Sequence, residues 1–235
     1  MTRHVQLNNL DHAALRIDTR RHAALGDAVM SALTFPAEFR NVQAHYPIVF
    51  GRGRAGELQP LALFGFAEGQ NLFLDEHGWD ASYLPLAVER QPFLVGVDGE
   101  ARMLHLDLDS PRVGTDAGEP LFLQYGGTTA FLERITSVLA TLDAGLAATP
   151  AFVARLQEHA LLESFVLDVE LDHGAQHRLA GFHTIDEDRL RALDADALWQ
   201  LHQAGWLEPI YMVVASMSNF RALIERMNRR HAAGR

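Results

Sequence analysis

Short apolar runs separated by glycine, proline and polar residues dominate the first half of the chain. Runs of this length are typical of β-strands. Asp98-Gly99 separates two of them and is a two-residue hairpin signal, because both positions tolerate positive φ. We therefore predict an antiparallel meander whose strands include residues 5–7, 13–17, 47–50, 61–66, 72–74, 93–97 and 103–107.

The second half has helical periodicity instead. Apolar residues recur every three or four positions from 128 to 148, which predicts an amphipathic helix. Thr149-Pro150 has the pattern of an N-cap followed by proline at the first helical position, and it predicts the start of a second helix. Residues 165–171 alternate between apolar and acidic side chains, so we predict a half-buried strand there, paired with 178–182.

Capping signals predict three further helices near the C-terminus. Thr184 opens a capping box, Asp194 can cap a helix that ends before Gly205, and Ser218 can cap the last helix. The apolar run at 210–215 predicts a buried strand. The whole pattern predicts an α+β fold with a mostly antiparallel sheet and helices concentrated in the C-terminal half. Because the sequence contains no internal repeat and no clear linker, we predict one domain over residues 1–235.

Two glycine- or proline-rich segments read as loops. Residues 109–118 are polar and rich in turn formers, which predicts a surface loop. Residues 51–56 match Gly-x-Gly-x-x-Gly by letter, but Pro60 and a predicted strand follow them. A dinucleotide-binding loop needs a helix at that point, so a hairpin loop is the favoured interpretation.

Composition narrows the class of protein. The 235 residues carry a net charge of −10, which disfavours nonspecific binding to nucleic acid or anionic lipid. The chain has no cysteine, which excludes disulfides and thiolate nucleophiles. The N-terminus lacks the apolar core of a secretory signal, and no stretch approaches ~18 consecutive apolar residues. We therefore expect a soluble, cytoplasmic protein with no membrane span and no nucleic-acid partner.

The segment 103–109 offers one candidate for catalysis. In a strand, His105, Asp107 and Asp109 share one face and could serve a metal ion or a proton transfer. The favoured alternative is that they form the solvated face of an edge strand while the leucines between them point inward. No metal, cofactor or nucleophilic site is predicted from the remaining sequence.

The segment 71–93 is the candidate for ligand binding. It combines aromatic residues, prolines and an arginine in a stretch too irregular for a simple helix. Aromatic rings beside a fixed arginine suit the recognition of a planar or anionic ligand. The predicted ligand-binding residues are Trp79, Tyr83 and Arg90. The alternative is a long loop that its aromatic rings pin to the core.

Several of these stretches together resemble the SapC family over almost the whole chain. The resemblance is carried by Tyr46-Pro47-Ile48-Val49-Phe50, Asn71-Leu72-Phe73, Trp79, Tyr83, Arg90-Gln91-Pro92-Phe93, Gly118-Glu119-Pro120-Leu121-Phe122, Leu179-Ala180-Gly181-Phe182 and Ile210-Tyr211. The family often has Arg-Arg-Tyr-Pro-Phe where this chain has Glu89 to Phe93, and Glu89 weakens any anion-binding role for paired basic residues there.

The resemblance implies a surface-layer association, and it also brings a peptide-transport label that the lack of a membrane span contradicts. It supplies no catalytic residues. The leading hypothesis is therefore a bacterial, non-enzymatic binding or accessory protein that recognises a small molecule, a peptide or a partner enzyme. The alternatives are an enzyme that uses His105, Asp107 and Asp109, and a surface-layer component.

Overall fold

The computed structural model confirms the predicted α+β fold and describes residues 3–98, 101–172 and 174–233. The strands are β1 (His4–Gln6), β2 (Arg16–Ile17), β3 (Ser31–Leu33), β4 (Ile48–Arg52), β5 (Leu58–Leu63), β6 (Leu74–Asp75), β7 (Gly78–Trp79), β8 (Phe93–Asp98), β9 (Ala101–Asp107), β10 (Val113–Gly114), β11 (Glu119–Pro120), β12 (Leu162–Glu170) and β13 (Gln176–Ile185). The helices are α1 (Phe39–Val42), α2 (Leu86–Glu89), α3 (Ala130–Glu158), α4 (Glu187–Arg191), α5 (Ala195–Gln203), α6 (Leu207–Ser216) and α7 (Asn219–Ala233). Short 3-10 turns cover Ala23–Leu25 and Pro36–Glu38.

The first of two compact units comprises residues 1–28, 74–79 and 86–144. One of its antiparallel sheets has the order β1-β9-β8, with Leu106 of β9 opposite Val5 on one side and Phe93 on the other. The pairing of β8 with β9 is the one that Asp98-Gly99 predicts, although Gly99 lies outside the described residues. The buried apolar core of this unit consists of Ile17, Phe93, Leu106, Leu121, Leu132, Ile135 and Leu139.

The second unit comprises residues 29–73, 80–85 and 145–235. Its five-stranded antiparallel sheet has the order β12-β13-β4-β5-β3. Strands β4 and β5 form a hairpin in which Ile48 pairs with Ala62, so a strand follows the glycine-rich loop and the hairpin prediction is confirmed. The fully buried rings of Phe39 and Phe152 meet edge to face, with their centroids 5.9 Å apart.

The strand predicted at 210–215 is wrong, because these residues lie inside α6. A continuous apolar run carries no periodicity and cannot distinguish a buried strand from a buried helix. Pro209 lies in the first turn of α6, where no backbone N–H is needed for an intrahelical bond. The buried positions Ile210, Val213 and Ser216 then follow helical spacing.

The helix start predicted at Thr149-Pro150 is also wrong, because α3 continues through both residues. The Thr149 hydroxyl donates to the Gly145 carbonyl at 2.8 Å, a bond typical of a residue within a helix. A Cβ atom at Gly145 would clash with the ring of Phe35, so glycine lets that buried ring pack directly on the helix. The helix then continues through Pro150, although Thr149-Pro150 has the local pattern of a helix start.

Helix α3 is also long and apolar enough to cross a membrane by length and composition. Its most apolar window has a mean hydropathy of 1.4, and 39% of that window is buried. Leu132, Ile135 and Leu139 of this helix pack in the core of the first unit. The expectation that the chain lacks a membrane span stays a prediction.

The short C-terminal helices follow their capping signals in part. The side chain of Asp194 caps α5, and Gly205 follows that helix in the left-handed conformation, as predicted. Asp186, and not Thr184, caps α4, because β13 includes Thr184. Helix α7 begins directly after Ser218, but the Ser218 hydroxyl donates backwards to a carbonyl of the preceding turn.

The C-terminus of α3 has the hydrogen bonds of a Schellman motif. The Leu161 N–H donates to the Leu156 carbonyl at 2.8 Å, and the Ala160 N–H donates to the Gln157 carbonyl at 3.0 Å. This motif requires a left-handed residue, and Ala160 has φ of 51°. A residue with a Cβ atom is strained in this conformation, so α3 ends at a position that glycine fits better.

We expect Ala160→Gly to raise the free energy of unfolding by about 1 kcal/mol, because it relieves this strain. Ala154→Gly is the matched control. It makes the same chemical change at an exposed position inside α3 and should lower the free energy of unfolding by about 1 kcal/mol. Urea denaturation measures both, and a loss of stability in Ala160→Gly would contradict the left-handed assignment.

Candidate functional site

The three predicted ligand-binding residues fall in different parts of the structure. Trp79 ends β7, is partly buried, and pairs with Leu74 in the small β6–β7 hairpin. Arg90 directly follows α2, and both residues belong to the first unit. Tyr83 belongs to the second unit. Their joint role as a ligand site stays a prediction.

Tyr83 is fixed by hydrogen bonds at both ends. Its hydroxyl donates to Oε1 of Glu38 at 2.9 Å, and its carbonyl accepts from the Tyr46 hydroxyl at 2.5 Å. Glu38 is itself buried and accepts from the Thr34 hydroxyl at 2.7 Å. Tyr83 therefore pins residues 80–85 to the core of the second unit, as the structural alternative for this loop predicts.

Arg90 is a partly buried arginine whose backbone and side chain are both held in place. Its N–H donates to the Leu86 carbonyl at 3.0 Å, and its carbonyl accepts from the Phe93 N–H at 2.8 Å. Its Nη1 donates to the Phe93 carbonyl at 2.6 Å. No carboxylate lies within ion-pair distance of its guanidinium among residues 3–98, 101–172 and 174–233. Burial lowers the pKa of Arg90, because desolvation disfavours the charged form.

A buried ion pair lies in the same unit and escaped the sequence analysis. The side chains of Arg112 and Asp27 are 1% and 0% exposed, and Nη2 of Arg112 lies 2.5 Å from Oδ2 of Asp27. Nη1 of Arg112 also donates to the carbonyls of Asp18 at 2.9 Å and Arg20 at 2.8 Å. The prediction of a surface loop at 109–118 is therefore wrong at Arg112, which is one of the largest fully buried side chains.

Arg21 joins this pair as a second guanidinium on the same carboxylate. Its Nη1 lies 3.4 Å from Oδ1 of Asp27 and 3.3 Å from the carbonyl of Val88. The pKa of Arg21 is lowered, first by desolvation and then by the charge of Arg112, against the attraction of Asp27. Two arginines thus share one aspartate, and the charge of Glu89 also attracts Arg21.

Arg21 also connects the surroundings of Trp79 and Arg90. A Cβ atom at Gly78, the residue before Trp79, would lie 3.8 Å from the Arg21 carbonyl oxygen. Val88, whose carbonyl accepts from Arg21, lies two residues before Arg90. We call Arg21, Asp27, Arg90 and Arg112 the arginine cluster.

The cluster is a local excess of positive charge in a protein of net charge −10. Arg90 has no ion-pair partner among the described residues, and its connection to Arg21 runs through the Val88 carbonyl. The neighbouring Glu89 makes its ion pair with Nε of Arg134 at 2.7 Å, and its charge also attracts Arg21. The arrangement can attract and orient an anionic group.

The alternative site at 103–109 has its carboxylates engaged locally. Asp107 accepts from the Asp109 N–H at 3.1 Å and lies 4.0 Å from the ring of His4. Asp109 accepts from the Arg3 N–H at 2.8 Å. Leu106 points into the core, as the solvated-face interpretation predicts. Among the described residues, no group of three or more His, Asp or Glu side chains could hold a metal ion.

We expect Arg112→Met to lower the free energy of unfolding by about 3 to 5 kcal/mol, because it leaves the Asp27 carboxylate buried without its closest partner. Arg20→Met is the control, since the Arg20 side chain is exposed and pairs with Asp18 at the surface. Its effect should stay below about 1 kcal/mol. Urea denaturation of both variants checks this, and equal stabilities would contradict a structural role for the buried pair.

Comparison with models of known protein families identifies the family of this chain. The model of the SapC family matches residues 7–223. Searches of curated proteins and of solved structures give no match. The family match spans both compact units and includes every residue of the arginine cluster. The chain therefore belongs to the SapC family.

Proposed function

We propose that this protein is a non-enzymatic binding or accessory protein that recognises an anionic group at Arg90. The ligand is carried by a small molecule, a peptide or a partner enzyme. The observation that supports the proposal most directly is the state of the Arg90 side chain. It is partly buried, its backbone is fixed on both sides, and it lacks a carboxylate partner among the described residues.

The remaining donors of Arg90 support ligand binding. A guanidinium carries five N–H donors in a rigid fork. Nη1 of Arg90 donates to the Phe93 carbonyl, whereas Nε and Nη2 make no hydrogen bond within the described residues and are not sealed in the interior. A carboxylate or phosphate oxygen pair fits such a fork in a bidentate manner.

The rest of the arginine cluster supports this recognition by fixing the segment before Arg90. Nη1 of Arg21 binds the Val88 carbonyl of α2, and Asp27 holds Arg21 and Arg112 together. Trp79 supplies an indole in the neighbouring hairpin against which a planar part of the ligand can pack. Arg90 acts as the direct ligand contact in this scheme, and Arg21 positions the segments on either side.

The two other hypotheses gain no comparable support. The carboxylates of Asp107 and Asp109 hold backbone groups at the edge of their sheet, which favours a structural role over catalysis with His105. A surface-layer role rests on the family resemblance alone. We propose a cytoplasmic, bacterial protein in which α3 serves as a core helix.

Arg90→Gln tests the proposal with sodium phosphate as the probe. In wild-type protein, phosphate should raise the melting temperature, with a gain in the free energy of unfolding of about 2.7 kcal/mol at one hundred times Kd. Arg90→Gln should lose this response at equal ionic strength. Arg40→Gln, which removes an exposed arginine of the second unit with the same change in charge, should keep it. Identical phosphate responses in the two variants would refute recognition at Arg90.

Cell fractionation tests the location and the role of α3. We expect the untagged protein to stay in the supernatant after high-speed centrifugation of lysed cells without detergent, because the apolar face of α3 is used for core packing. Immunoblotting of each fraction provides the measurement. Recovery with membranes that resist an alkaline carbonate wash would indicate a spanning helix instead, and recovery with the cell envelope would favour the surface-layer role.

A further inference from the structure

A cavity in the second unit lies between the end of α3 and helix α5. Its volume is about 460 Å³, which lies within the range of small-molecule sites. Eight residues line it: Arg155, His159, Trp199, Gln200, Leu201, Gln203, Ala204 and Trp206. We call it the tryptophan cavity. The proposed function does not use it.

The two tryptophans provide one fixed and one open aromatic surface. Trp206 packs against the fully buried Phe152, with the ring centroids 5.5 Å apart, so the core fixes its orientation. Trp199 is 62% exposed, and its ring centroid lies 6.0 Å from that of His202. Indole faces of this kind bury a flat ring at a small cost in side-chain entropy.

The polar lining contains one arginine and no carboxylate. Arg155 and His159 are four residues apart on α3, so they lie on the same face of that helix. The Schellman motif fixes the backbone beside His159, and Nε2 of this ring is buried without a hydrogen-bond partner. The amide groups of Gln200 and Gln203 add further donors.

This charge decides between two classes of ligand. Two indoles that line one cavity also suit a quaternary ammonium ion, but Arg155 would repel such a cation, and the carboxylate beside Arg155 is already engaged in an ion pair with it. The carboxylate that now pairs with Arg155 is Glu158, at 2.6 Å on the exposed surface. An exposed pair of this type contributes little, so an incoming anion can replace it.

We infer that the tryptophan cavity binds a small aromatic carboxylate. The ring of the ligand packs against Trp199 and Trp206, and its carboxylate binds the Arg155 guanidinium. The amides of α5 complete the hydrogen bonds to the carboxylate. Binding at this site involves none of the residues of the arginine cluster.

The three tryptophans give a direct experiment, because each contributes one indole N–H signal to a ¹H–¹⁵N spectrum. Phenylacetate, benzoate and 4-hydroxyphenylacetate are titrated into the full-length protein, and single Trp→Phe variants assign the signals. We expect saturable shifts of the Trp199 and Trp206 signals while the Trp79 signal stays in place. Phenylacetamide has the same ring without the charge, and its affinity should be lower by a factor of about ten or more.

Two variants with the same change in charge complete the test. Arg155→Gln should weaken phenylacetate binding about tenfold or more, whereas Arg189→Gln, at an exposed position on α4, should leave it within about twofold. Both side chains are exposed, so both variants should fold, and circular dichroism checks this. The inference is overturned if none of the three carboxylates shifts Trp199 or Trp206 saturably, or if the two variants bind alike.

Discussion

The ion pair between Arg112 and Asp27 is the interaction on which the rest of the first unit depends. Two charges without access to water are costly unless each finds partners, and this requirement fixes their surroundings. Arg112 meets it by binding Asp27 and two backbone carbonyls, so it ties residues 109–114 to residues 18–27. Arg21 binds the same carboxylate as Arg112. The cluster has a positive character because two arginines share one aspartate.

This constraint also explains why an acidic protein can carry an anion site. A net charge of −10 opposes the approach of anions in general. Within the cluster, however, the arginines are fixed by buried partners and outnumber the aspartate. Arg90 directly follows α2, whose Val88 carbonyl binds Arg21, and part of its guanidinium remains accessible. The tryptophan cavity follows a similar logic on a smaller scale, with one arginine and no carboxylate among its lining residues.

Sequence patterns predicted the fold class, the antiparallel hairpins and the caps at Asp194 and Gly205, because each depends on local periodicity or on one residue's own conformation. They failed at 210–215, where an apolar run has no period, and at Thr149-Pro150, where the local pattern of a helix start lies inside a longer helix. The family assignment rested on many weak motifs in order, and the match over residues 7–223 confirms it.

The candidate site was predictable only where composition was unusual. The segment 71–93 was predicted as a ligand site because it combines aromatic residues with Arg90. Asp27 and Arg112 are 85 positions apart, and their neighbours read as an ordinary turn, so no local signal reports their contact. Pairing over such a separation depends on the assembled fold. Tyr83 illustrates the opposite case. It was predicted to bind a ligand, but its hydroxyl donates a hydrogen bond to the buried Glu38.

The central claim is that Arg90 presents an accessible guanidinium for an anion. Anomalous diffraction from crystals soaked in sodium bromide tests it most directly, since bromide marks anion sites without depending on the identity of the ligand. The account predicts a bromide peak in contact with Nε or Nη2 of Arg90. A carboxylate of the protein bound to those nitrogens, with no bromide beside them, would contradict it.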